Sequence, residues 1–140
     1  MKSIYLLLLL FSLIVFSACN DDDDDTPKTY EYHAHIHQPS SSAKNIGDLI
    51  AISVEFESHT GEDVEHINVR IYDKVTNLVV YDEPADAHVS NGSATYEFED
   101  QVTLSTVIGF FPGIWVLEAK VWGKDDDQDL VSEKIEFQIN

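Results

Sequence analysis

Pro112 to Ile139 reads PGIWVLEAKVWGKDDDQDLVSEKIEFQI. Trp115, Leu117, Ala119 and Val121 recur at every second position, as do Ile135, Phe137 and Ile139 further on. Period two is the side-chain period of a β-strand, whose successive residues face opposite sides. The spacing predicts one strand over Ile114 to Gly123 and another over Leu130 to Ile139. Between them GKDDDQD is charged and has no apolar period, as a connecting loop requires. Pro112-Gly113 punctuates the entry.

The same alternation runs back through the chain, and no stretch keeps a helical period. It predicts five earlier strands: Thr29 to His37, Leu49 to Ser58, His66 to Asp73, Leu78 to Asp82 and Ala94 to Leu104. Their inward sets include Tyr30, Tyr32, Ala34 and Ile36; Ile50, Ile52, Val54 and Phe56; Ile67, Val69 and Ile71; and Tyr96 with Phe98. Thr60-Gly61-Glu62, Lys74 to Asn77 and Asn91-Gly92 supply turn chemistry at the breaks. Short strands at roughly 8–12-residue spacing imply an all-β sandwich. Residues 30–140, with no disulfide available, are enough for one domain with one hydrophobic core. Pro112 to Ile139 also resembles the last two strands of Ig-like domains of bacterial surface proteins. That resemblance implies a single Ig-like or fibronectin-III-like antiparallel sandwich of about seven strands.

The N-terminus is of another kind. One Lys, an apolar run from Ile4 to Phe16 and a small-residue exit form the layout of a secretory signal peptide. The run is 13 residues, about 20 Å as a helix against roughly 30 Å of bilayer hydrocarbon. Phe16-Ser17-Ala18-Cys19 resembles a bacterial lipoprotein signal. The resemblance implies cleavage after residue 18 and a lipid on Cys19, the one cysteine of the chain. Five aspartates, Asp21 to Asp25, follow; they repel one another and predict an extended tether over 19–29. An acidic run at this place resembles the surface-export signal of Bacteroidota lipoproteins. The whole chain resembles small surface lipoproteins of that group, which implies an outer-membrane lipid anchor and a domain facing the cell exterior.

Loss of Lys2 with the leader leaves seven basic against 26 acidic residues, a net charge of −19. Such a balance disfavours nucleic acid and anionic surfaces as partners and is compatible with cations and neutral glycans.

Three sets of residues carry chemistry. In YHAHIHQP the alternation sends His33, His35 and His37 to the face opposite Tyr32, Ala34 and Ile36. Neighbouring imidazoles there are about 6.6 Å apart and can converge on one ion; His33 and His37, about 13 Å apart, cannot without strain. A site therefore takes one adjacent pair plus a carboxylate from the next strand, Glu55 or Glu57. Two imidazoles and a carboxylate suit Zn²⁺ or Cu²⁺. The other reading is a polar outer face whose histidines merely sit near carboxylates.

The second set is acidic. In an Ig-like sandwich the connections after strands two, four and six share one end. They carry His59, Glu62, Asp63 and Glu65; Asp82, Glu83, Asp86 and His88; and Asp125, Asp126, Asp127 and Asp129. Oxygen ligands in such number suit Ca²⁺, although runs of Asp in loops are ordinarily solvated. The third set is apolar and aromatic. VIGFFPG, with Phe110 and Phe111, lies between strands five and six, and forms either a partner-binding tip or a plug for that end of the sandwich. Tyr72 and Trp122 face outward and offer a surface for stacking sugar rings.

No Gly-rich phosphate loop and no nucleophile elbow occur. The expectation is a non-catalytic, surface-tethered binding module for a transition metal. The alternatives are an adhesion or glycan-binding accessory, which would engage a surface protein or glycan, and a structural spacer.

Overall fold

The structure is a computed structural model that describes residues 31–89, 92–123 and 130–140. The signal peptide, Cys19, the acidic tether, Asn91 and Asp125, Asp126, Asp127 and Asp129 lie outside the described residues.

Seven strands form two antiparallel sheets: β1 Tyr32–Gln38, β2 Leu49–Ser58, β3 His66–Asp73, β4 Val79–Glu83, β5 Thr95–Thr103, β6 Gly113–Trp122 and β7 Val131–Ile139. The first sheet has the order β1-β2-β5 and the second β4-β3-β6-β7. This is the sandwich expected from the alternation, of the Ig-like kind that the resemblance implied, with strand ends within a few residues of those predicted.

The core is made by the period-two residues. Ile50, Ile52, Val54 and Phe56 of β2 face Ile67, Val69 and Ile71 of β3 and Trp115, Leu117, Ala119 and Val121 of β6, all buried. β-Branched and aromatic side chains suit a pleated, packed surface. Tyr96 and Phe98 are only half-buried, because β5 is an edge of the first sheet. Val116 and Glu118 of β6 are buried as well, although they face outward. β6 is central in its sheet, and its outer side is covered by neighbouring side chains.

The sandwich is closed along its edges. The Tyr81 hydroxyl of β4 donates to Asp100 Oδ2 of β5 at 2.6 Å, joining the two sheets. Burial and this carboxylate hold the Tyr81 phenol well above its usual range. Lys44 pairs with β7 through hydrogen bonds to Gln138 and from Asn140, which covers an edge that would otherwise be open to pairing.

At the end of β3 the buried Asp73 carboxylate organises the turn to β4. It accepts from the Thr76 hydroxyl, the Thr76 amide and the Val75 amide. Those bonds, the Thr76 hydroxyl first, hold its carboxyl below the usual carboxylate range. The turn closes on Asn77 at φ 59°, a left-handed conformation that Asn tolerates.

Antiparallel pairing sorts the connections. The last residues of β2, β4 and β6 lie at one end with the start of β1; the last residues of β1, β3 and β5 lie at the other.

Candidate metal centre

β1 pairs with β2 so that Tyr32 lies opposite Ser58, His33 opposite Glu57 and His35 opposite Glu55. The ladder runs one step further, because the His59 amide donates to the Glu31 carbonyl at 2.9 Å. Parity then dictates the outer face. Glu31, His33, His35 and His37 stand along β1, and Glu55, Glu57 and His59 stand beside them along β2. Glu97 and Glu99 continue the same face on β5, opposite Glu55 and Ser53.

The side chains form a string of imidazole–carboxylate contacts. His33 Nε2 is 3.3 Å from Glu31 Oε1, and His35 Nε2 is 3.0 Å from Glu57 Oε1. His59 Nε2 is 2.9 Å from the same Glu57 oxygen, and His37 Nε2 is 3.4 Å from Glu55 Oε2. The His33 and His59 rings lie 4.4 Å apart, and the His33 and His35 rings stack at 6.1 Å. Hydrogen bonds from His59, then His35, hold the Glu57 carboxyl below the usual range.

Three ligands converge: one atom each from Glu31, His33 and His59 lies within 4.8 Å of the others. Atoms around one tetrahedral zinc, at about 2.0–2.1 Å from the metal, are roughly 3.3 Å apart. Small side-chain rotations in this exposed trio would close the difference. Two imidazoles and a carboxylate are a donor set for Zn²⁺ or Cu²⁺, with further positions left to water or another ligand. Glu57, bonded to His59, stands where a carboxylate orients a metal-bound imidazole.

The composition of the site differs from that expected. His33 belongs to it, but His35 does not join His33 on a common ligand set. His37 and Glu55 pair with each other further along the face, beside Glu97 and Glu99. Glu57 contributes as a partner of His59. The sequence pattern does not single out Glu31 or His59 for this site, and it places His59 with the acidic loops. The signal was present: Glu31 has the parity of His33, and His59 extends the parity of Glu55 and Glu57. His59 lies one residue beyond the predicted strand Leu49 to Ser58, and Glu31, although inside the predicted strand Thr29 to His37, is one of many carboxylates with no local sign of a partner.

The other candidates fare differently. Among the described residues no trio of carboxylates converges at the acidic end, and the aspartates after β6 lie outside them. Tyr72 and Trp122 do not form a pair. Tyr72 is opposite Val116, six positions from Trp122 on β6, a distance of about 20 Å. Tyr72 instead lies under the Arg70 guanidinium at 5.2 Å, and Trp122 stacks on His66 at 5.4 Å. Phe110 is not a surface residue. At 1% exposure it packs against Trp115 with ring centroids 4.8 Å apart and plugs that end of the sandwich. Phe111 rests edge-on against Trp115, whose Nε1–H donates to the Phe111 carbonyl at 2.9 Å. The exposed apolar side chains of this connection are Val107, Ile108 and, in part, Phe111.

No protein-family model matches the chain, and no curated protein matches it. Among solved structures it is similar to a CARDB domain from Pyrococcus furiosus in solution, with 12% identity over 79% of this chain and 94% of that one and a TM-score of 0.51. A crystal structure of a CARDB domain from the same organism, in complex with di-metal ions, superposes with 9% identity over 79% and 93% of the two chains and a TM-score of 0.42. A β-glucosidase from Listeria innocua matches 77% of this chain with only 16% of its own, at 13% identity and a TM-score of 0.42. The two latter superpositions are too loose to bear on this chain. The first is a likeness of fold alone: two antiparallel sheets packed as an Ig-like sandwich, as in the CARDB domain.

Proposed function

We propose that this domain is a non-catalytic binding module that captures a transition-metal ion, zinc or copper, through Glu31, His33 and His59. The observation that carries this reading is the convergence of those three ligand atoms within 4.8 Å. Stability does not account for the arrangement. Exposed ion pairs contribute a median of about 0–1 kcal/mol, yet four imidazoles are set against three carboxylates on this one face. An ion bridging Glu31 and His33 to His59 would also tie the start of the domain to the end of β2. Around this module the N-terminal pattern supports a lipid on Cys19, an outer-membrane anchor and display toward the exterior through the acidic tether.

The test is a melting curve of the full chain with and without zinc or copper. An ion bound only by the folded state adds about 2.7 kcal/mol at a hundredfold excess over Kd. At roughly 4–8 °C per kcal/mol for a domain near this size, Tm should rise by about ten degrees or more. The pair His33→Ala, His59→Ala should abolish the rise, and calcium should not reproduce it, because it prefers oxygen ligands. If neither zinc nor copper moves the curve at neutral pH, the histidines are only a polar face.

A further inference from the structure

The outer face of the second sheet holds a separate feature. Its outward residues at the β2–β3 end are His66 and Asn68 of β3 and Lys120 and Trp122 of β6, with Asn68 opposite Lys120 and His66 opposite Trp122. Asp82 of β4 joins them. The Asn68 side-chain amide donates to Asp82 Oδ1 at 2.7 Å. After Glu83 the chain leaves the sheet, then pairs with β3 again where His88 meets His66. The excursion between raises a wall of Pro84, Ala85 and Ala87. Trp122 and Leu130 line the opposite side. Together they bound an open cavity of about 460 Å³, within the roughly 300–1,000 Å³ typical of small-molecule sites.

Three properties define what fits. The middle of the cavity offers an amide, a carboxylate and an ammonium, which is to say donors and acceptors side by side. Its walls are apolar and include an indole. Trp122 is also held in place: its ring stacks on His66 at an interplanar angle of 8°, and His66 Nδ1 lies 3.0 Å from the Gly123 carbonyl. His88 meets the same imidazole edge-on, with centroids 5.0 Å apart. A wall fixed before binding loses little freedom when a ligand arrives. A ligand with a belt of hydroxyls and apolar C–H surfaces matches both the middle and the walls, since indoles pack well against C–H surfaces. One acid against one base in the cavity favours no net charge on the ligand, and the negative field of the chain repels anions.

We propose that this cavity binds a neutral sugar ring of a glycan, with Asn68, Asp82 and Lys120 addressing its hydroxyls and Trp122 its C–H surface. The site is independent of the histidine face, which lies on the other sheet.

The full chain is applied, in EDTA, to a printed array of neutral oligosaccharides with gluco-, manno-, galacto- and xylo-configured chains and to acidic uronate chains as the contrast. The expected result is retention on at least one neutral class. The oligosaccharide of that class is then titrated while tryptophan emission is followed. Trp115 is 0% exposed, so a saturable change reports Trp122. Trp122→Ala should weaken binding by about tenfold or more, as for a central aromatic contact. Asp82→Ala, at an exposed side chain, should weaken it several-fold with an unchanged melting curve and keeps the test valid if Trp122→Ala unfolds. Lys120→Ala should also weaken it several-fold, read below its own melting transition because it removes a charge beside Glu118. His33→Ala, His59→Ala should bind as the unaltered chain does. The proposal is overturned if no neutral class is retained, if only uronates are, or if Asp82→Ala and Lys120→Ala bind undiminished.

Discussion

Glu57 accepts from the imidazoles of His35 and His59 at once, but of these two only His59 converges with Glu31 and His33. His59 has Glu57 behind it and Glu31 and His33 before it; His37 has only Glu55. His33→Ala and His59→Ala should each weaken zinc binding by about tenfold or more, the scale seen when even an orienting partner is lost. His37→Ala should leave it unchanged, and isothermal titration distinguishes the two outcomes. If His37→Ala is the damaging change, the ion sits further along β1. The metal needs neutral imidazole, and binding releases protons, so affinity should fall as the pH is lowered from neutral. The same residue-by-residue contrast applies at the far end of the sandwich. Phe110→Ala opens a cavity beside Trp115 and should cost about 3–5 kcal/mol in denaturant unfolding. Val107→Ala, at a side chain 92% exposed, should change stability by no more than about 0.5 kcal/mol. Equal costs would mean that Val107 is also packed.

Across strands, charge is arranged in two opposite ways. On the second sheet, Glu118 of β6 lies opposite Arg70 of β3 and Lys134 of β7. It accepts from the Arg70 guanidinium and from Lys134 at 3.1 Å. Burial pushes its carboxyl upward, but the Lys134 and Arg70 hydrogen bonds and the Lys120 charge outweigh burial, and its pKa is lowered. A depressed carboxylate pKa stabilises the fold above the unfolded value, near 4.3, and that contribution is lost as pH falls through the folded value. Glu118→Gln should therefore be less stable at neutral pH by about 1–3 kcal/mol and should lose less than the unaltered chain on acidification below pH about 4.3. Parallel acid-melting profiles would contradict this. On the first sheet the arrangement is repulsive. Glu55 lies directly opposite Glu97, a like-charge pair that destabilises. Glu97→Gln should raise stability by about 0.2–1 kcal/mol, read as a higher Tm; a fall would show that Glu97 has a favourable partner.

For the whole molecule, the two sheets present different chemistry on their outer faces: imidazole and carboxylate on one, a walled polar cavity on the other. The proposed attachment rests on the N-terminal sequence pattern. Cys19→Ala should move the full chain from the detergent phase to the aqueous phase on phase partitioning; a chain that stays with detergent is held by Ile4 to Phe16. Replacing Asp21 to Asp25 with Asn should keep the lipid but protect the domain from protease added to whole cells. Continued digestion would reduce the acidic run to a spacer. Much of the fold was legible because the side-chain period of a strand is a local property. Trp115, Leu117, Ala119 and Val121 announce an inward face whatever they pack against, and His33, His35 and His37 announce an outward one. The strand count and the two-layer sandwich follow from that pattern and its turns. Which outward groups meet is not local. The pairing of Tyr32 with Ser58 brings His59, written 26 positions after His33, to its side, and a different register would have paired other histidines. Likewise Tyr72 and Trp122 share a face, but the β3–β6 register holds them apart. Phe110 stands in a connection that by sequence forms either an exposed tip or a plug, and the open end of the sandwich draws it inward, where burial of a large aromatic outweighs its place in a loop. The sequence alone thus determined which side of each strand faces the core. Tertiary pairing decided the site, because bringing ligands together depends on residues far apart in the chain.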